Sequence, residues 1–168
     1  MRHVCPDARI DVMKFTYSIP FDRPAAAAWE TVCDAARLMR CIPGCEAVER
    51  AAAAPGEAGE GGVEVYRVRM TTSLGPVRLG GTGTARVRKD PARRSMRAAV
   101  SLNDPGTGSA YGTMALEVRA VDQDRSELQV EADVVLAGKI GEFAQPILRR
   151  KADQTVREFA KNLLETAG

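Results

Sequence analysis

The 168 residues, 27% charged and 45% hydrophobic, make one ordinary domain, large enough to bury a core and keep space for a cavity beside it. Lys and Arg number 24 against 22 Asp and Glu, so the net charge of +2 gives no field that would steer nucleic acid, and no nucleic-acid partner is expected. No apolar run approaches the roughly 20 residues that span a bilayer and no apolar signal region opens the chain, so the expected location is cytoplasmic, with any membrane contact peripheral at the inner face.

Residues 1–12, MRHVCPDARIDV, match no later pattern and read as a disordered extension before a single domain over 13–168. His3, the one histidine, lies in that extension. From Met13 to Ile19 the side chains alternate, with Met13, Phe15, Tyr17 and Ile19 on one face, the mark of a half-buried strand. In DRPAAAAWETVCD, Asp22 is a candidate N-cap and Pro24 fits the first turn of a short helix that gathers Ala28, Trp29 and Val32 on one side. A second short helix from Ala35 to Cys41 should stop at Ile42-Pro43-Gly44, where proline restricts its predecessor and glycine accepts turn geometry before the next strand.

Residues 51–62, AAAAPGEAGEGG, cannot build a core and are expected to form a mobile hairpin loop. Alternation then returns: Tyr66, Val68, Met70, Thr72 and Leu74 share a face, with Glu64, Arg67 and Arg69 exposed near them. Beyond a turn at Gly75-Pro76, the residues Val77, Leu79, Gly81, Gly83, Ala85 and Val87 point one way. Glycines at mid-strand fit either room for a ligand or sheet curvature and close packing. GGTGTA is not a phosphate loop, because it lies inside a strand pattern with no helix behind it.

Three more alternating runs follow, namely Met96 to Leu102, Ala110 to Val118 and Leu128 to Leu136. Apolar-in, polar-out alternation marks an antiparallel sheet with one wet face. Its cover is the segment Ile140 to Leu164, where Phe143, Ile147, Leu148, Ala152, Val156, Phe159, Ala160 and Leu163 recur at helical spacing. Roughly 25 residues of helix reach about 37 Å, enough to cross such a sheet. The fold class is therefore α+β, a curved antiparallel sheet around a long C-terminal helix, with two short helices after the first strand.

This order is the helix-grip arrangement, and the words IPFDRPAAAAWETVCD, CIPGCEAVE, LGPVRLGGTGTARV, GTGSAYGTMALEV and AGKIGEFAQPILRRKADQTVREFAKNLL resemble the carbon monoxide dehydrogenase G-subunit family of the START/Bet v 1-like (SRPBCC) superfamily. The resemblance runs from about Phe15 to Leu164, and Pro43-Gly44-Cys45 is its most specific word. It implies an accessory role beside a molybdenum hydroxylase of the carbon monoxide dehydrogenase type, connecting the enzyme with the membrane, and a quinone or similar lipid carried between sheet and helix. Longer members of the family continue through a flexible tail to a membrane-binding segment. A sequence ending at Gly168 points instead to a carrier or adaptor that does not anchor itself.

The inward faces as read above carry no charged residue on a central strand, which favours binding an apolar ligand over catalysis. The expected cavity wall is Tyr66, Met70, Leu102, Met114, Leu116, Phe143, Ile147 and Leu148, with Ile42 and Pro43 at the mouth. Tyr66 also fits a core tyrosine with its hydroxyl at the rim. No catalytic residue is assigned, although a polyketide cyclase or aromatase of the same superfamily is one alternative and a pure interaction subunit without ligand another. Cys5, Cys33, Cys41 and Cys45 read as free thiols, and the spacing around Pro43-Gly44 is foreign to zinc ribbons, so neither a metal nor a required cofactor is expected beyond a bound quinone or lipid. Arg149, Arg150 and Lys151 open the outer side of the long helix, as a solvated face or as a basic patch for anionic lipid.

Overall fold

A computed structural model describes residues 12–51, 62–74, 77–143 and 145–167. The extension through residue 11, with His3 and Cys5, most of the loop 51–62 and the Gly75-Pro76 turn lie outside those residues, as do the side chains of Leu74, Val77 and Leu79. The elements in order are β1 (Val12–Phe21), α1 (Ala25–Val32), α2 (Ala35–Arg40), β2 (Cys45–Ala51), β3 (Glu64–Leu74), β4 (Val77–Asp90), β5 (Ser95–Asp104), β6 (Gly108–Ala120), β7 (Ser126–Ala137) and α3 (Gln145–Ala167). Among the described residues the strands form one antiparallel sheet of seven, ordered β1-β7-β6-β5-β4-β3-β2, so the helix-grip arrangement expected from the alternation is present.

Strand register carries the alternation across the whole sheet. Tyr66 faces Ala85, Ala85 faces Val100, Val100 faces Gly112, Gly112 faces Val134 and Val134 faces Met13, one continuous inward row. β2 has the weakest apolar pattern, CEAVERA, because it is an edge strand with a register shift between Cys45 and Ala47 and only Val48 turned toward the core. Gly83 stands where an added Cβ would lie 1.7 Å from the Ser101 carbonyl oxygen. The close approach of β4 and β5 therefore accounts for that glycine, with no ligand required.

Helix boundaries follow local chemistry. Pro24, not Asp22, occupies the N-cap of α1, and no side chain caps that end. Asp34 caps α2 by accepting from the Arg37 amide at 3.2 Å. The long helix begins later than the apolar spacing implies: residues 138–142 form a 3-10 turn tied to the β5–β6 connection by Ile140 N–H donating to the Thr107 carbonyl at 2.9 Å, and Pro146 then fits the first turn of α3.

Burial along the inward face is uneven. A dry band runs diagonally from Ile19, Leu128 and Val118 through Met96 and Val87 to Tyr66 and Val68, closed by Ala28 and Val32 of α1, Leu38 of α2 and Leu163 of α3. Leu128 and Leu163 are fully buried. The first half of α3 is looser, with Leu148, Ala152 and Val156 half-buried and Ile147 44% exposed. Leu163→Ala is expected to lower stability by about 2–5 kcal/mol in urea unfolding, and Ile147→Ala by less than about 0.5 kcal/mol. Equal losses at the two positions would mean that the helix is gripped along its whole length.

Candidate functional site

Where the dry band ends, the inward face stays apolar but is only partly covered. Ala98, Val100, Leu102, Ala110, Gly112, Met114, Ala132, Val134 and Leu136 are all half-buried, forming an open corner on β5, β6 and β7. Met70 and Gly81 continue it toward β3, and a Cβ on Gly81 would sit 3.4 Å from that of Leu102. Of the expected wall residues, Met70, Leu102 and Met114 line this corner. Tyr66 and Leu116 lie within the dry band at 4% and 7% exposure. Phe143 and Leu148 are half-buried at the start of the helix, while Ile147 faces outward.

A cleft of about 580 Å³ opens beside the corner, between the Pro43-Gly44 turn, Thr71 to Ser73 at the end of β3, and the flank of α3 that carries Lys151, Gln154 and Thr155. Ile42, half-buried, leads into that turn. Gly44 is fixed there by geometry: its φ is +89°, its carbonyl accepts from the Thr71 amide at 2.8 Å, and a Cβ would lie 1.9 Å from the Thr71 carbonyl oxygen. Pro43 and Gly44 of the word Pro43-Gly44-Cys45 thus build one lip of the cleft. A second depression of about 650 Å³ runs over the outer face among Lys14, Arg97, Glu131 and Asp133, whose side chains point away from the grip.

The Arg149-Arg150-Lys151 run does not form a patch, because successive helical residues point about 100° apart. Arg149 turns to β1, donating to the Lys14 carbonyl at 3.1 Å with its guanidinium 5.0 Å from the Phe15 ring centroid. Arg150 is exposed, and Lys151 faces the cleft, half-buried. On the β1 side the Tyr17 hydroxyl donates to Asp153 at 2.7 Å, and burial together with that bond pushes the phenol up to about 12. Farther along, Asn162 donates to the Cys41 carbonyl at 2.8 Å, holding the helix to the end of α2.

The inward face is not free of charge as expected. Glu64, read from sequence as exposed, has a side chain only 20% exposed, pairs with Lys89 at 3.0 Å and accepts from the Tyr66 hydroxyl at 2.5 Å. Strand parity explains it, since Glu64 precedes Tyr66 by two residues and Lys89 follows Val87 by two, each on the inward side. Lys89 stands opposite Met96, so this pair borders the dry band and leaves the open corner uncharged. The Arg50 guanidinium lies 5.6 Å from the Tyr66 ring centroid. Burial and the bond to Glu64 push the Tyr66 phenol up to about 12. Cys33, Cys41 and Cys45 are free, burial pushes the Cys45 thiol up, and no cluster of three metal-ligating side chains occurs among the described residues.

Burial alone would raise the Glu64 carboxyl, but hydrogen bonds from Tyr66 and Lys89 with the charges of Lys89 and Arg50 hold it below its ordinary range. A carboxyl depressed by folding adds stability above its unfolded pKa and loses it as the pH falls through the folded value. Glu64→Gln is therefore expected to melt lower than the parent at neutral pH, with the gap closing as the solution is acidified through the carboxylate range. A gap that is independent of pH would show that the charge of Glu64 does not stabilise the fold.

Residues 18–168 match the family described as the G subunit of carbon monoxide dehydrogenase (CoxG). No curated protein sequence matches the chain. Among solved structures, a conserved protein from Geobacillus kaustophilus is similar at a TM-score of 0.72 and 18% identity, covering 92% of this chain and 95% of that one. The Zhui aromatase/cyclase from Streptomyces sp. R1128 gives 0.58 at 21% identity, covering 95% and 92%. A START superfamily protein from Mycobacterium smegmatis gives 0.63 at 16%, covering 92% and 96%. These likenesses show a START/Bet v 1-like helix-grip fold, and at such identities they show the fold alone.

Proposed function

The chain belongs to the carbon monoxide dehydrogenase G-subunit (CoxG) family, and on that premise we propose a non-catalytic binding protein whose open corner holds an apolar ligand, a quinone or other lipid. The domain then serves a molybdenum hydroxylase of the carbon monoxide dehydrogenase type as accessory or adaptor, in the cytoplasm and in peripheral contact with the membrane. Among the described residues no helix is long and apolar enough to cross a membrane. The supporting observation is the partial exposure of Val100, Leu102, Gly112, Met114 and Val134, inward residues without a titratable group at the margin of the core. Covering it with hydrocarbon contributes about 25 cal/mol per Å² of apolar surface, which favours long apolar molecules and leaves their choice loose.

Catalysis has less support. Both inward phenols, Tyr17 and Tyr66, donate to carboxylates and stand near 12, so neither is poised to move a proton at neutral pH. Solvent extraction of the purified protein followed by mass spectrometry is expected to release an apolar molecule, and the emptied protein is expected to enhance the fluorescence of the hydrocarbon diphenylhexatriene. Gly112→Leu places bulk in the middle of the corner, where a Cβ meets nothing closer than 3.5 Å, and should weaken that binding about tenfold while leaving the melting temperature nearly unchanged. A protein that is empty as purified and ignores both diphenylhexatriene and added quinone contradicts the proposal.

A further inference from the structure

We infer that the cleft beside the open corner seats the polar end of the ligand, with Lys151 and the Thr72 hydroxyl donating to an oxygen acceptor, a carboxylate or a quinone carbonyl, on an otherwise apolar molecule. The inference rests on reading the domain as a binder of apolar ligands, and it adds the chemistry that sets which of them are held.

Lys151 is half-buried on the cleft wall, yet among the described residues no ion pair or hydrogen bond reaches its ammonium. Its acidic neighbour Asp153 is turned to the other flank of the helix by Tyr17, and Thr155 engages only the Lys151 carbonyl, at 2.9 Å. A lysine with its stem half-buried on the wall holds its ammonium at the cleft, where a ligand oxygen offers a charge-assisted hydrogen bond. Across the cleft the Thr71 hydroxyl is taken by Glu46 at 2.9 Å, which leaves Thr72, on the same side of β3 as Met70, as the strand's donor to the cleft. Thr72 follows Met70, the last residue of the apolar corner on that strand, by two positions on the same face, so a tail in the corner leads its head into the cleft. The charged side chains lining the cleft are Lys151, Arg157 and Glu158, two cations against one anion.

Displacement of diphenylhexatriene by dodecanoate and by decylubiquinone tests this on the whole chain with Lys151→Met, which keeps the aliphatic stem, and Lys151→Arg, which restores a donor. Diphenylhexatriene itself should bind all three proteins equally. Lys151→Met should weaken at least one of the two competitors about tenfold, with recovery in Lys151→Arg. Loss confined to dodecanoate assigns a carboxylate, loss confined to decylubiquinone assigns a quinone carbonyl, and loss of both assigns the shared acceptor. Unchanged competition, or an equal loss for the hydrocarbon, overturns the inference and leaves the binding proposal standing. A parent protein that does not bind diphenylhexatriene overturns the binding proposal itself.

Discussion

The fold turns on a mismatch of widths. Seven strands spaced about 4.8 Å apart make a sheet about 29 Å across, whereas a helix with its side chains is about 10–12 Å wide. One long helix covers only a band of the inward face. Here α1 and α2 close the end of the sheet near Phe21 and Val32, and the second half of α3 seals the diagonal through Leu163. The corner over Val100, Gly112 and Val134 is what remains. The apolar side chains that make this sheet a strong core at one end therefore make it a receptive surface at the other.

Polar contacts mark the border of the sealed region. Asn162 ties α3 to the carbonyl at the end of α2, Tyr17 and Asp153 tie it to β1, and the Ser126 hydroxyl donates to the Arg23 carbonyl at 2.8 Å where β7 starts. No buried side-chain nitrogen or oxygen among the described residues lacks a partner, so these contacts stabilise position without leaving an unpaired group in the core. Glu64, Lys89 and Tyr66 make a further polar margin beside the core residues Val87 and Met96. The helix is thus fixed on two flanks, and Lys151, on the flank that faces the cleft, remains unpaired among the described residues.

Alternation in the sequence reveals which way a side chain points but not how deep it lies. Leu116 and Met114 are successive inward residues of one strand, one sealed and one half-open, and nothing in the strand itself tells that α1 packs on β6 at the sealed end. Tyr66 and Met70 differ in the same way. Glu64 and Lys89 lie beyond the last apolar residues of the inward series on β3 and β4, so hydrophobicity marks neither, although the parity of two continues through both. The Arg149-Arg150-Lys151 run looks like a patch when written in a line and becomes three directions on a helix. Gly83 carried no sign of its reason, since the nearness of the Ser101 carbonyl depends on how two strands approach. Capping was legible only in part: Asp34 serves α2, while proline took the place expected of Asp22.

Methionines happen to sample both regions, with Met96 3% exposed in the dry band and Met70 and Met114 half-buried at the open corner. Titrating methyl-labelled protein with an apolar ligand while following the methionine methyl resonances tests the division of the sheet most directly. The Met70 and Met114 signals are expected to shift on binding while Met96 stays in place. Saturable binding that moves Met96, or that leaves Met70 and Met114 unmoved, would contradict it.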